Sequence, residues 1–163
     1  MSYNLFPLKK PITDKVALSI FSGMLGALSV YLIAIPSYFL KVTRIIYLLY
    51  DIELFVKPDL ARTIPGFLAG FLIGLIVGGG LSFGFKLLIE WTGSDWIWLK
   101  SAAYGAIMWF FWVGAARHFL YVSLYLESDL KSNMFLLLET QIFMLANTYF
   151  MIKLAGDKKV LEN

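Results

Sequence analysis

The chain of 163 residues contains no cysteine and a single histidine. Without cysteine there is no disulfide, no thiol nucleophile and no thiolate-ligated metal or iron–sulfur cluster. One histidine cannot build a multi-histidine metal site. Charge is also scarce: 15% of residues are Asp, Glu, Lys or Arg, where a soluble domain carries about a quarter. No nucleophile elbow, P-loop or zinc-protease motif is present, and no paired carboxylates sit in a recognisable cleft pattern. The basic residues form no dense cluster, so the net charge of +3 does not point to nucleic acid as a partner. No cofactor is implied.

What the chain has instead is apolar sequence in long runs. Hydrophobic residues make up 60%, and mean hydropathy is +0.75. About 20 apolar residues cross the hydrocarbon core of a bilayer. The length therefore suits one membrane domain, residues 1–163, with four spans and short connections. The expected fold is an all-α integral membrane bundle of four transmembrane helices, with an interfacial amphipathic helix after the first span.

The spans are read at about 16–35, 63–88, 96–120 and 134–154. Lys9, Lys10 and Lys15 precede the first apolar run. That run is too long for the apolar region of a signal peptide, about 7–15 residues, so an uncleaved span is expected. Thr13 or Asp14 can cap it. Pro36 either kinks a longer helix or opens a new one. The segment from about 37 to 56 mixes Phe39, Leu40, Ile45 and Leu48 with Lys41, Arg44, Asp51 and Glu53. It is too charged to span and reads as the interfacial helix, the alternative being an extension of span 1. Asp51 and Glu53 read as solvated loop charges. Thr63 and Pro65 open span 2. Gly93 ends it, Ser94 or Asp95 caps the next, and Trp91, Trp96 and Trp98 mark a membrane surface.

Span 2 carries Gly66, Gly70, Gly74 and Gly78 at four-residue spacing, with Ser82 continuing the series. Glycine in a helix is about 1 kcal/mol worse than alanine in water. In a bilayer, small residues repay that by letting another backbone come close. The expected partner is span 1, through Gly23, Gly26 and Ala27, or span 3, through Ala102, Gly105 and Ala106. A homo-oligomer seam, or another membrane partner, is the alternative. Gly79, Gly80 and Gly84 lie off this stripe.

The polar candidates inside the membrane are Arg117, His118, Glu139 and Asn147. Ionisable groups in spans are costly and normally paired or turned toward water. If spans 3 and 4 form a hairpin with its tip at Ser128, Arg117 falls level with Glu139, and Trp109 with Asn147. A guanidinium–carboxylate pair and an indole–amide hydrogen bond are then expected; a proton or ion path using Glu139 and His118 is the alternative. Arg117 and His118 lie about 100° apart on a helix, so both cannot face Glu139. Gln141 faces another neighbour or the lipid boundary.

The stretch from Thr92 to Gly114, T-G-S-D-W-I-W-L-K-S-A-A-Y-G-A-I-M-W-F-F-W-V-G, resembles small four-span membrane proteins of Firmicutes, of the YqhR-like kind. In these a turn and a lysine precede a glycine- and tryptophan-bearing span. The polar loop after span 1 and the glycine-rich span 2 agree with the likeness. The resemblance implies a bacterial cytoplasmic membrane and carries no catalytic residue across. Lysine and arginine counts give eight for the N-terminus, the 86–100 loop and the tail, and six for the opposite connections. Both termini are therefore expected on the cytoplasmic side.

Two functions follow as expectations. The first is a non-enzymatic structural or interaction role within the lipid bilayer. The second is a transport or channel component using the polar groups of spans 3 and 4. A transport component should show a polar cavity reaching Glu139 or Asn147. A packing module should show those groups satisfied by neighbouring helices.

Overall fold

The computed structural model describes residues 12–116 and 130–156. Six α-helices lie within them: α1 (Lys15–Phe39), α2 (Tyr47–Glu53), α3 (Pro58–Ala61), α4 (Ile64–Thr92), α5 (Ile97–Trp109) and α6 (Leu130–Ala155). A π-helical segment, Phe110–Ala116, continues α5. No strand occurs among the described residues. Helices α1, α4 and α6 are each long and apolar enough to cross a membrane.

Local chemistry explains the ends of the long helices. Asp14 caps α1 by accepting from the Ala17 N–H at 2.6 Å. Thr63 caps α4 by accepting from the Gly66 N–H at 3.3 Å, and Pro65 sits in the first turn, where no N–H partner is needed. Gly93, at φ 78°, closes α4 in a conformation that side-chain-bearing residues avoid. Its last carbonyls are taken by Lys100, whose Nζ donates to Thr92 and Gly93 at 2.9 Å. At the start of α5 the structure departs from expectation. Neither Ser94 nor Asp95 occupies the N-cap; Trp96 does, in a left-handed conformation and with no side-chain cap bond.

Helix α1 runs antiparallel to both α4 and α6. At one end of the bundle Lys15 of α1 meets Glu90 of α4 at 3.1 Å, and the Ile12 N–H donates to Leu154 of α6 at 2.9 Å. At the other end Phe39 stacks on Phe67. Helix α5 packs on α6 through Ser101, which donates to the Met144 carbonyl at 2.9 Å, and through Gln141, which donates to the Ala102 carbonyl at 3.3 Å. Gln141 thus faces a neighbouring helix, not lipid.

The segment between the first two long helices is not one amphipathic helix over 37–56. Helix α1 continues through Pro36 to Phe39, and the chain then turns inward. Leu48, Leu49, Tyr50, Asp51 and Ile52 of α2 are all buried. Helix α2 is tucked against α4 instead of lying on a surface. The reason is the glycine stripe. A Cβ at Gly70 would strike the Leu48 carbonyl, and a Cβ at Gly66 the Leu60 and Ala61 carbonyls. Those two glycines give α2 and α3 a smooth bed.

The rest of the stripe meets α1. A Cβ at Gly23 would overlap the Gly78 carbonyl. Gly78 in turn leaves only 3.0 Å between the position of a Cβ and the Gly23 carbonyl, and 3.2 Å to Ala27 Cβ. All five positions, Gly66 through Ser82, are buried. The stripe is covered by α1, α2 and α3, and by Phe143 and Asn147 of α6. Span 3 does not cover it: α5 reaches α4 beside Gly84, which lies off the stripe and makes room for the Tyr104 hydroxyl. Helix α4 continues without a break through Gly78, Gly79 and Gly80.

Candidate functional site

The inward turn of α2 creates the site. Between α1, α2, α4, α6 and the α5–π segment lies a cavity of about 70 Å³. Its lining includes the carboxyl groups of Asp51 and Glu139 and the hydroxyls of Tyr31, Tyr47 and Thr140. Ala27, Val30, Val77, Leu81 and Phe143 supply apolar wall. Among the described residues, no lysine, arginine or histidine lines it.

Glu139 comes from the middle of α6 and is 2% exposed. Its Oε2 accepts from the backbone N–H of Tyr47, the first residue of α2, at 3.0 Å. Ile46 precedes α2 and offers no side-chain cap. Glu139 therefore does from another helix what Asp14 does locally for α1. A negative group suits that place, because the first N–H groups of a helix have no partner within it. The other carboxylate oxygen, Oε1, is buried without a hydrogen-bond partner among the described residues.

Asp51 comes from α2 and is 4% exposed. Its Oδ1 accepts from Trp112 Nε1 at 3.4 Å. Trp112 belongs to the π-helical segment, and its carbonyl accepts from the Tyr50 hydroxyl at 2.7 Å. A π turn sets the ladder to i→i+5 and often marks a functional position. Here it presents one indole N–H and one carbonyl to α2. Tyr47 adds a further tie, its hydroxyl accepting from Thr140 at 2.9 Å. Gly74 leaves the space that the Tyr31 hydroxyl fills, and the position of a Cβ there is 3.4 Å from Asp51 Oδ2. The stripe thus does two things: it brings α1 and α4 together, and it makes room for the cavity's polar groups.

Of the intramembrane candidates, Glu139 and Asn147 are both buried on α6. Arg117 and His118, with the far end of the 96–120 span, lie outside the described residues. Trp109 and Asn147 are not level. Trp109 Nε1 donates to the Asn133 carbonyl at 3.2 Å, while Asn147 Oδ1 accepts from Ser82 at 2.8 Å. The facing residues of α5 and α6 are centred several positions before Ser128, so counting equal distances from that residue misplaces the pairs. Asp51 is the residue that sequence reasoning missed. The charged pair Asp51 and Glu53 suggested a wet loop. The overlooked signal was the apolar company of Asp51, with Leu48, Leu49, Tyr50 and Ile52 around it.

A buried carboxyl pair with aromatic hydroxyls is an all-oxygen donor set. It suits a proton or a hard cation, not a soft metal. Among the described residues no three His, Cys, Asp or Glu side chains converge as a metal cluster would need. The architecture defines an all-helical protein with three helices able to cross a membrane. No family model, no curated protein and no solved structure matches the chain.

Proposed function

We propose that the protein is a membrane-embedded carrier or channel component for a small cation, protons included. This is the second of the two functions expected from the sequence. One observation carries it: Asp51 and Glu139, from separate elements and both buried, line one cavity in which, among the described residues, no basic side chain takes part and Glu139 Oε1 has no partner. Buried carboxylates demand compensation. A packing role would have given Glu139 Oε1 a neighbouring donor as it gives Asp51 the Trp112 indole. A small cation bound between them supplies the missing charge.

Three finer readings belong to this proposal. The α5–π stretch, Ile97–Ala116, is the fourth span. At about 1.5 Å per residue it is close to the bilayer's hydrocarbon thickness. The setting is a bacterial cytoplasmic membrane with both termini inside, supported by the lysine and arginine distribution and by the YqhR-like resemblance. The glycine stripe serves packing within one chain, supported by its burial under α1, α2, α3 and α6.

The test is flux in proteoliposomes that carry a pH-sensitive dye and an imposed sodium, potassium or proton gradient. Wild-type protein should move one of these cations faster than protein-free vesicles. The double substitution Asp51→Asn with Glu139→Gln should reduce that flux at least tenfold. Flux equal to protein-free vesicles for all three ions, or flux unchanged in the double variant, overturns the proposal.

A further inference from the structure

One helical turn beyond the acidic cavity lies a second buried polar group of residues. Ser22 of α1, Ser82 of α4 and Asn147 of α6 are all fully buried. The two serine hydroxyls are 3.0 Å apart, and Ser82 donates to Asn147 Oδ1 at 2.8 Å. Asn147 Nδ2 is buried with no acceptor among the described residues. Buried amide donors are normally paired, with protein or with ordered water. Three helices therefore converge on a cluster of polar atoms in which one amide donor still lacks an oxygen.

Its position relative to the cavity is fixed by helix geometry. Ser82 follows Gly78 by four residues, and Asn147 follows Phe143 by four. Gly78 and Phe143 both line the cavity. A turn of helix rises about 5.4 Å, so cavity and polar cluster are successive layers of the same bundle. The Phe143 ring lies at the boundary. The position of a Cβ at Gly78 is 3.3 Å from its Cε2, and that of a Cβ at Gly26 is 3.2 Å from its Cδ2. A Cβ at Gly26 would also stand 3.1 Å from Asn147 Cβ. One turn further along α4, Lys86 is fully buried and donates to Glu90 at 2.6 Å.

We propose that Ser22, Ser82 and Asn147 form a water-holding station in line with the acidic cavity, and that Phe143 is the barrier between the two. Water is the ligand because it can accept from Asn147 Nδ2 and exchange hydrogens with both serine hydroxyls. The positive charge of Lys86 opposes a cation at this layer, so cations stay with Asp51 and Glu139. The station stands on the geometry of the cavity and does not require that the cavity conduct.

The absence of cysteine makes a direct test available. A single Ser82→Cys substitution is close to isosteric and gives the only S–H group in the chain. Its conversion to S–D after transfer of the full-length protein into D₂O is read by infrared spectroscopy. Val77→Cys reports the cavity itself, and Ala34→Cys, in a buried apolar position, reports dry core. Exchange at Ser82→Cys should be at least tenfold slower than at Val77→Cys and at least tenfold faster than at Ala34→Cys. Adding Phe143→Ala should bring Ser82→Cys up to the Val77→Cys rate. If Phe143→Ala does not fold, Phe143→Leu tests the same barrier with a smaller deletion. Exchange at Ser82→Cys as slow as at Ala34→Cys in both backgrounds overturns the station. Exchange as fast as Val77→Cys with Phe143 intact overturns the barrier. No exchange at Val77→Cys means a dry cavity, and then the station and the cation site fall together. Water at Ser82→Cys without carboxyl-dependent flux removes the cation reading alone.

Discussion

The two ends of this bundle use glycine for opposite purposes. Toward Lys15, α1 and α4 come backbone to backbone at Gly23 and Gly78, and the charges there are shared: Lys15 and Lys86 both reach Glu90 Oε1. Toward α2, the glycines Gly66, Gly70 and Gly74 hold a gap open, which α2, α3 and the Tyr31 hydroxyl fill. The first end packs backbone to backbone, and its two lysines share one carboxylate. The second contains the cavity, with two carboxyl groups and an oxygen left over. Close packing removes room for chemistry. A short element wedged between long ones creates it.

The strongest way to break this contrast is to put a bulky side chain where the backbones meet. Gly78→Leu must push aside the Gly23 carbonyl, Ala27 and Phe143, none of which is the free end of a flexible chain. Overpacking of this kind costs about 1–3 kcal/mol and can exceed it; the high end is expected here. Unfolding titrations in mixed micelles measure it. An unchanged midpoint would show that the two helices do not approach as described.

A second substitution sharpens the view of the α2 end. Glu139→Leu leaves the Tyr47 N–H buried and without its acceptor, a loss of about 1–3 kcal/mol. Glu139→Gln keeps an acceptor oxygen and should lose less. Amide hydrogen exchange at Tyr47 should accelerate in the leucine variant and stay near the parent rate in the glutamine variant. Equal acceleration in both would mean that charge, not the cap, holds α2.

The smallest effect is expected where glycine does neither job. A Cβ at Gly80 meets nothing within 4 Å. Gly80→Ala should change stability by no more than about 1 kcal/mol, toward the more stable side, since alanine is the better helix former. A clear destabilisation would reveal a neighbour pressed against that face, and a second copy of the chain would then be the first to look for by size in detergent.

These differences track what a sequence can disclose. The Asp14 and Thr63 caps are legible because each is made by one side chain reaching three residues ahead. The burial of the glycine stripe is legible because four-residue spacing fixes one face. The placement of α2 is not, because its ties come from Glu139, Thr140 and Trp112, far along the chain. Nor is the register of α5 against α6, which depends on a connection whose shape no local rule sets. Asp51 changes from an ordinary loop acid to half of the candidate site only when those distant partners are in place.

That dependence also orders the making of the protein. The segment around α2 is synthesised directly after α1. Several residues that hold it, at sequence separations of up to 93, are made later. Until α6 arrives, the Tyr47 N–H lacks the Glu139 carboxylate that caps it. A nascent chain halted before Leu130 would therefore hold α2 only through α4 and Trp112, with the Tyr47 N–H uncapped. The cavity is complete only once α6 is in place, as an arch is with its keystone.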